Sequence, residues 1–469
     1  MRIKHIIVLV LFFCLKPLVA QYKATELEQF LSFKEYLSYV KKHHPLIKQA
    51  NLQLSIGEAN LLKSRGGFDP KIEVDYVRKK FKNTEYFDQL NATFKIPTWY
   101  GIEFKANFEE NSGIYLNPNL TVPNDGLYSA GVSFSLAQGF LINERMAMLK
   151  KAKIFVKQSN SKRELLVNNL IFEASKAYFH WLEAYKELEI YNRFLSNAKI
   201  RFNGVKRNVE LGEKAAIDSI EAKITLQNRK LNLEAAKLKT KKAMLKASNY
   251  LWINNIPLEI QEHVFPLLPN DEVLSSSLIL EKTTSQEDFL KNHPKVKNLE
   301  AKIDGLQVDR SLKRNMLLPK IDLQYNFLAS DVGQLNNFNA TNYKAFVNFS
   351  FPLFLRKERG DLKLTKLKLQ DANFELASSS LNIQNKLDAI AAEISSLKKQ
   401  NNLIKLIVSD YNKMLTAEER KFQLGESSLF LINSREQKLI TAELKANALA
   451  IKALNSNVKL YNAIGISNI

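Results

Sequence analysis

Residues 209–221 and 422–434 read VELGEKAAIDSIE and FQLGESSLFLINS, two stretches that share Leu-Gly-Glu and a following run of apolar residues. Glycine accepts the positive φ that a tight turn between two helices requires. The pattern predicts that each stretch joins one helix to the next, and a simple helix C-cap would look the same. The residues of the two predicted turns are Leu211, Gly212, Glu213, Leu424, Gly425 and Glu426.

Further matches place these turns in an internal duplication. Short motifs recur later in the chain. Two of them recur after 249 residues, one recurs after 214 residues, and the turns recur after 213 residues. Matches that keep one order at nearly constant spacing indicate a tandem repeat. The first copy is longer by 249 − 214 = 35 residues, all of them between the second match and the third. The matches are His44-Pro45 with His293-Pro294, Pro70-Lys71-Ile72 with Pro319-Lys320-Ile321, Glu144-Arg145 with Glu358-Arg359, and the two Leu-Gly-Glu turns.

Each copy has the same predicted plan of a helix, short alternating segments, a very long helix, a turn and a return helix. The low number of breaking residues, Gly 15 and Pro 12, favours long helices. The predicted division is a signal peptide at 1–20, a first repeat at 21–252, a linker at 253–282 and a second repeat at 283–469. The predicted elements are a helix at 46–64, strands within 71–136, a long helix at 140–211 and a return helix at 214–252, then a helix at 295–314, strands within 319–351, a long helix at 356–424 and a return helix at 427–464.

The alternating segments predict β-strands that have one apolar and one polar face. Their lengths, near ten residues, suit tilted strands that cross a membrane. A soluble sheet with one wet face would alternate in the same way. The apolar positions are Ile72, Val74, Tyr76, Tyr128, Ala130, Val132, Phe134 and Leu136 in the first copy, and Ile321, Leu323, Tyr325, Phe327, Tyr343, Ala345, Val347, Phe349 and Phe351 in the second.

The long helices carry apolar seams whose spacing alternates between three and four residues, which is typical of coiled coils. A helix of this length reaches roughly 100 Å at 1.5 Å per residue, so it must pack lengthwise on other helices. Asn401 interrupts the second seam. The seams are Ala174, Ala177, Trp181, Ala184, Leu188, Tyr191, Leu195, Ala198, Phe202, Val205 and Val209, and Ile383, Leu387, Ile390, Ile394, Leu397, Ile404, Val408, Tyr411 and Leu415.

The N-terminus has the pattern of a secretory signal peptide. A positively charged start precedes an apolar run that begins at Ile6, and a small residue, Ala20, marks the expected cleavage site. The sole cysteine, Cys14, lies in this run, so the mature chain is expected to have neither disulfides nor thiol chemistry.

Charge and composition exclude several other classes. The net charge of +20 comes from lysines spread along predicted helices, which indicates solvated helix faces rather than a nucleic-acid partner. After residue 20 no stretch holds about 18 consecutive apolar residues, so a membrane span would have to consist of strands. Because no metal-spaced histidine pair, phosphate loop or catalytic grouping is present, we expect no enzyme activity, metal or cofactor.

Four strands per chain cannot close a barrel, for which about eight is the smallest number. Open edges cannot exist in lipid, because each unpaired backbone group there costs several kcal/mol. The chain is therefore expected to oligomerise, and three chains give 3 × 4 = 12 strands together with a ring of long helix pairs.

The additional residues of the first copy contain a further candidate hairpin at 91–109. Residues 92–96 and 102–108 alternate in polarity, and Pro97 to Gly101 separates them like a turn. The sequence leaves two places open for this hairpin, since it either enlarges the barrel or caps its outer mouth.

This organisation resembles the TolC-like outer membrane efflux proteins over nearly all of the mature sequence. The resemblance rests on the order and spacing of the duplicated His-Pro openings, the Leu-Gly-Glu turns and the strand-to-helix stretches. It implies a mainly α fold with a membrane β part, a homotrimer whose 12-stranded β-barrel continues into a periplasmic α-helical barrel. The residues that mark the strand-to-helix junctions are Gly139, Arg145, Pro352 and Arg359.

The same resemblance implies a function, partners and a location. The chain would be the passive export duct of a tripartite efflux or type I secretion system in the outer membrane of a Gram-negative bacterium. It would contact outer-membrane lipid, a periplasmic adaptor and an inner-membrane pump. Drugs, metal ions and secreted polypeptides would all fit such a duct.

In this family the glycine turns lie at the periplasmic tip, where the tunnel is gated and the adaptor docks. Carboxylates often follow the glycine by six and nine residues, and here Asp218 and Glu221 match in the first copy. Neither position is acidic in the second copy, where Asn433 lies nearby. The resemblance makes these three residues candidates for the pore constriction, where acids select cations. Ordinary acids on a helix surface are the alternative.

Two other classes fit part of the sequence. A periplasmic coiled-coil adaptor or envelope scaffold would explain the signal peptide and the heptads, but not the duplicated strand pairs. A simple porin would need many more strands and shorter turns.

Overall fold

Two long helical hairpins and one β-sheet make up most of the molecule. The computed structural model describes residues 29–278, 286–337 and 339–465. The expected signal peptide at 1–20, including Cys14, lies outside the described residues. The helices are α1 Phe33–His43, α2 Pro45–Arg65, α3 Glu144–Glu210, α4 Ala216–Ser248, α5 Asp271–Leu278, α6 Gln286–Asn292, α7 Pro294–Asn315, α8 Arg356–Gln423 and α9 Leu429–Ile464. The strands are β1 Gln29–Leu31, β2 Lys71–Phe81, β3 Thr84–Pro97, β4 Ile102–Ser112, β5 Leu127–Ser135, β6 Trp252–Ile253, β7 Ile256–Pro257, β8 Val264–Pro266, β9 Lys320–Ala329 and β10 Tyr343–Ser350.

The long helices α3 and α8 contain 67 and 68 residues, which corresponds to roughly 100 Å each. Near the sheet α3 packs between α2 and α7, and farther from the sheet it packs between α4 and α9. The helix α8 packs against α7 and α9. Each half of the molecule is therefore one layer of four helices side by side. Among the described residues, no helix combines the length and the apolar character needed to cross a lipid bilayer.

The seams predicted from the sequence lie at the contacts between these helices. Ala174, Trp181 and Ala198 are buried in the first copy, as are Ile390 and Leu397 in the second. These contacts account for the alternation of three and four residues, since one face of each long helix turns towards its neighbours.

Asn401, which interrupts the second seam, forms a hydrogen bond between two helices. The side-chain amide of Asn401 in α8 donates to the carbonyl of Leu449 in α9 at 3.2 Å and to that of Leu397 at 2.9 Å. A polar group at a seam position fixes the register of two helices at some cost in stability.

Helices α2 and α7 begin with the same cap, which explains the repeated His-Pro pair. The Nδ1 atom of His44 accepts a hydrogen bond from the backbone N–H of Leu46, and that of His293 from Lys295, both at 3.1 Å. Proline occupies the first helical position in both, where its missing N–H costs nothing.

One antiparallel sheet of six strands, in the order β10-β9-β5-β4-β3-β2, lies where the long helices begin. The expected four strands per chain are therefore wrong for this sheet. The additional hairpin, formed by β3 and β4, pairs within the sheet, with β3 against β2 and β4 against β5. Alternation along one strand identifies its two faces but not its neighbours, so this pairing was not readable from the pattern.

A hydrophobic core surrounds the middle of α3, where Tyr178 packs against Tyr36 of α1 and against Trp181 of its own helix. The segment 253–282, expected to be a linker, contributes structure in its described part. Strands β6 and β7 pair with each other, β8 pairs in parallel with β1, and α5 packs on α1. The helix α1 is absent from the sequence-based plan.

Candidate functional site at the helical tip

The two Leu-Gly-Glu turns end the long helices with the same hydrogen bonds. In the first turn, the N–H of Gly212 donates to the carbonyl of Val209 at 3.0 Å, and that of Glu213 to Asn208 at 2.9 Å. The equivalent two bonds close the second turn, and this pair of bonds defines the Schellman motif. The φ angles of Gly212 and Gly425 are +78° and +79°. A Cβ atom at either glycine would meet nothing within 4 Å, so the backbone angle alone requires glycine.

The two turns are joined by packing at the tip. The ammonium group of Lys214, just after the first turn, lies 4.2 Å from the centre of the Phe422 ring, just before the second. Beneath this contact a small apolar cluster is built from Val205, Ala222 and Leu429. The first residue of each turn projects outward: Leu211 is 64% exposed and Leu424 is 69% exposed.

The second turn is also fixed by a carboxylate. The Ser427 hydroxyl donates to Glu418 at 2.6 Å, and the guanidinium of Arg435 lies 3.6 Å from the same carboxylate. These contacts, the hydroxyl first, hold the pKa of Glu418 below its usual value. The carboxylate therefore stays ionised and keeps α8 and α9 together beside the turn.

Of the three residues predicted for a constriction, the structure brings two together. The Asn433 side-chain N–H donates to Glu221 at 3.0 Å and joins α9 to α4. The amide oxygen of Asn433 accepts from Arg201 at 3.4 Å. Asp218 lies in the first turn of α4, nearer the tip, with its backbone N–H bonded to the carbonyl of Ala215. The side chains of Asp218 and Glu221 are half-buried in the single chain.

Next to this contact, a buried ion network links four helices. Glu436 of α9 is fully buried, and its two carboxylate oxygens lie 2.9 Å from Arg201 of α3 and 3.2 Å from Arg229 of α4. Arg201 also reaches Glu419 of α8 at 3.4 Å, and Arg229 donates to Gln437 at 2.8 Å. Because α3, α4, α8 and α9 each supply a charged group, the network fixes one helical hairpin against the other. Removing one partner of a buried pair leaves an uncompensated charge.

Sequence reasoning did not identify Arg201 or Arg229 as part of the site. A signal was present for Arg229, because it falls within the buried stripe of α4 at the spacing of Leu226 and Leu233. A charged residue inside an apolar stripe must find a partner when it is buried. That signal indicates a partner, but it does not say which helix supplies it.

Two of the four predicted junction residues connect the sheet to the helices. Gly139 has a φ of +97°, and its N–H donates to the side-chain oxygen of Asn315 at the end of α7, at 2.8 Å. Arg145 of α3 forms an ion pair with Glu103 of β4 at 2.7 Å. The junction residues of the second copy, Pro352 and Arg359, are exposed in the single chain.

The second repeat matches a known protein family. Residues 286–466 match the family model described as Outer membrane efflux protein. The pyoverdine export outer membrane protein OpmQ of Pseudomonas aeruginosa is 21% identical over 359 residues, which cover 75% of this chain and 73% of that protein.

Solved structures of two outer membrane channels have the same fold. The open-state MtrE channel of Neisseria gonorrhoeae superimposes with a TM-score of 0.67 at 15% identity, over 92% of this chain and 88% of that one. The CmeC channel of Campylobacter jejuni superimposes with a TM-score of 0.66 at 15% identity, over 92% of this chain and 85% of that one.

Proposed function

From its relationship to the outer membrane efflux proteins, we propose that this chain forms the outer membrane channel of a tripartite efflux or type I secretion system. It is a passive duct that leads from the periplasm of a Gram-negative cell to the exterior. The observation that carries this function is that the sheet and the long helices form one continuous structure. A sheet with an apolar face and two unpaired edges lies at one end of helices that are roughly 100 Å long.

The active form proposed here is a homotrimer. Both borders of a single chain are open to a neighbouring copy, and the number three follows from the relationship to the outer membrane efflux proteins. The outer strands β2 and β10 are exposed along their whole length, and unpaired edges do not persist in lipid. The helical layer has apolar borders as well. Exposed apolar residues recur every seven positions along α4, at Ile217, Ile224, Leu231, Leu238 and Leu245.

This seven-residue repeat is the pattern of a coiled-coil seam. The part of α8 that lies at the level of α4 is exposed and apolar as well, at Leu403, Leu406, Ile407 and Met414. Three copies bring α4 of one against α8 of the next and close both a helical tunnel and a barrel. The twelve strands of the sequence-based count assume four strands per chain.

The helical tip is the periplasmic gate and the docking site for the adaptor that connects the channel to an inner-membrane pump. The projecting Leu211 and Leu424 offer apolar contacts to the adaptor, and Glu213 and Glu426 offer exposed charges beside them. Asp218, Glu221 and Asn433 form the constriction once the trimer closes. A threefold ring of the Asp218 and Glu221 carboxylates favours cations.

Single-channel recording in a planar bilayer, combined with the oligomer mass in detergent, tests this function. The expected result is a trimer with a small, cation-selective conductance. Combining Asp218→Asn with Glu221→Gln lowers the cation selectivity, whereas the control Glu234→Gln, an exposed acid farther along α4, leaves it unchanged. A soluble monomer without conductance would contradict the channel and favour a periplasmic coiled-coil scaffold.

A further inference from the structure

We propose that the additional hairpin, β3 with β4, forms part of the lipid-facing wall, so that the trimeric barrel contains 3 × 6 = 18 strands instead of twelve. This proposal rests on the proposed function, which places the sheet in the outer membrane. The alternative is a hairpin that folds over the outer mouth.

The hydrogen bonds place the hairpin inside the sheet. Strand β3 pairs with β2 from Lys71–Lys95 to Phe81–Thr84, with one irregularity near Lys79. It pairs with β4 along ten consecutive residues on its other side, and β4 pairs with β5 along eight. A hairpin that covered the mouth would leave β2 and β5 to pair with each other. Here the hairpin separates these two strands.

The hairpin carries the same apolar face as the other four strands. Residues directly opposite each other in an antiparallel pair lie on one face of the sheet. The register gives a row that crosses all six strands and is apolar throughout. This row consists of Ile72, Phe94, Ala106, Ala130, Phe327 and Tyr343.

The neighbouring row on the opposite face has no aliphatic or aromatic side chain. It consists of Lys71, Lys95, Lys105, Gly131, Asn326 and Lys344. Membrane barrels show this division, with the apolar face towards lipid and the polar face towards the lumen. Strands that covered the mouth would have water on both sides and no need to continue the apolar band.

The turn of the hairpin is anchored at the strand-to-helix junction. The Trp99 ring stacks on Phe68, with ring centres 5.5 Å apart, and the Trp99 carbonyl accepts a hydrogen bond from Asn143 at 3.1 Å. A Cβ atom on Gly101 would come within 2.8 Å of the Gly139 carbonyl oxygen. This end of the hairpin therefore lies at the periplasmic border of the sheet, at the level of the other strand ends and opposite to the outer mouth.

The six strands also suit closure by identical copies. All neighbours are antiparallel, so the outer strands β2 and β10 run in opposite directions. Strand β10 of one copy can then pair antiparallel with β2 of the next. Because barrel diameter grows roughly linearly with strand number, 18 strands give a barrel about 1.5 times as wide as twelve, in the range that leaves an aqueous channel.

Fluorescence quenching of single-cysteine variants tests the proposal, because the native cysteine, Cys14, lies in the expected signal peptide. Ala106→Cys tests the apolar face of β4 and Lys105→Cys its polar face. On β5, which the twelve-strand count also includes, Val132→Cys and Ser133→Cys serve as references. Each variant carries an environment-sensitive thiol dye and is reconstituted in lipid vesicles with brominated lipid or aqueous iodide as quencher.

Brominated lipid is expected to quench Ala106→Cys and Val132→Cys alike, and iodide to quench Lys105→Cys and Ser133→Cys. If iodide reaches Ala106→Cys while Val132→Cys remains in lipid, the hairpin lies outside the wall and only the 18-strand proposal fails. If Val132→Cys is also aqueous, the sheet is not in the membrane and the proposed function fails as well. Electron cryomicroscopy of the unmodified trimer in lipid nanodiscs counts the strands directly, and twelve would overturn the proposal.

Discussion

Glycine at the tip is required by one backbone angle. Gly425 has a φ of +79°, and its N–H donates to the carbonyl of Phe422 at 3.1 Å. Alanine keeps this hydrogen bond but is strained at positive φ by about 1–2 kcal/mol. Proline fixes φ near −65° and has no N–H, so it cannot form the turn at all.

We therefore expect Gly425→Pro to abolish export while the protein still inserts into the outer membrane, and Gly425→Ala to reduce export only partly. Complementation of a deletion strain measures export, and the amount of protein in the outer membrane fraction measures insertion. Gly204→Ala is the matched control, because this glycine lies within α3 with open space around it. Normal export by Gly425→Pro would argue against the assignment of this turn to the tip.

His293 connects a helix cap to the pH dependence of stability. Burial, above all, lowers its pKa from 6.5 to about 4. Between these values the unfolded chain binds a proton that the folded chain excludes, so stability falls as the pH falls from about 6.5 to 4. The loss at the low end is about 3 kcal/mol, taking 1.36 kcal/mol per pKa unit.

The variant His293→Asn keeps an N-cap acceptor but removes the titration. Its free energy of unfolding is expected to fall less between pH 7 and pH 4 than that of the unsubstituted chain. Denaturant unfolding followed by circular dichroism at both pH values measures this difference. In the first repeat, His44 caps α2 by accepting a hydrogen bond from the N–H of Leu46. The variant His44→Asn therefore provides the equivalent substitution for comparison. An unchanged pH dependence in His293→Asn would show that this histidine does not titrate as described.

The ion network around Glu436, which joins the helices, predicts that the loss of stability depends on which carboxylate is removed. Glu436→Gln removes the carboxylate that Arg201 and Arg229 share and leaves the buried Arg229 without its carboxylate, and removal of one partner of a buried pair costs about 3–5 kcal/mol. Glu419→Gln removes a partly exposed partner of the same Arg201, and exposed pairs contribute roughly 0–1 kcal/mol. Thermal unfolding of the purified protein measures both variants. Equal losses would show that Glu436 is not the centre of the network.

The elements differ in how far their sequence determines them. The long helices were predictable because their seams repeat over many turns, and the strands because their alternation is regular. The helix α1 was missed because it has only 11 residues, although Ser32 and Glu35 carry the spacing of a capping box. The partners of Glu436 lie 207 and 235 residues away in sequence, so no local pattern connects them.

For the whole molecule, the sequence predicts the architecture better than it predicts how many strands the sheet contains and which strands pair. Duplication and periodicity indicate one sheet and two helical hairpins, and the structure contains both. The number of strands in the sheet depends on which edges pair, and β2 pairs with β3 instead of β5. Such pairing is a tertiary property, because β3 and β5 present similar alternation to the same neighbour.

Assembly should depend on the apolar border of α4. Leu231 is 69% exposed in the single chain, although burying a leucine side chain stabilises by about 1.5–3 kcal/mol. A trimer would bury three copies of this leucine, one in each seam between neighbouring subunits. Leu231→Glu places three carboxylates in the same seams, where a buried unpaired charge is costly. We expect this variant to keep its helical content as a monomer but to form no trimer.

Lys230→Glu is the matched control, since Lys230 is exposed on the same helix but lies about 100° around its axis from Leu231. It should remain trimeric. Native mass spectrometry of detergent-solubilised protein gives the oligomeric state, and circular dichroism verifies the helices. A trimeric Leu231→Glu variant would place this stripe on the outside of the tunnel wall. The seam between neighbouring copies would then have to use another face of α4.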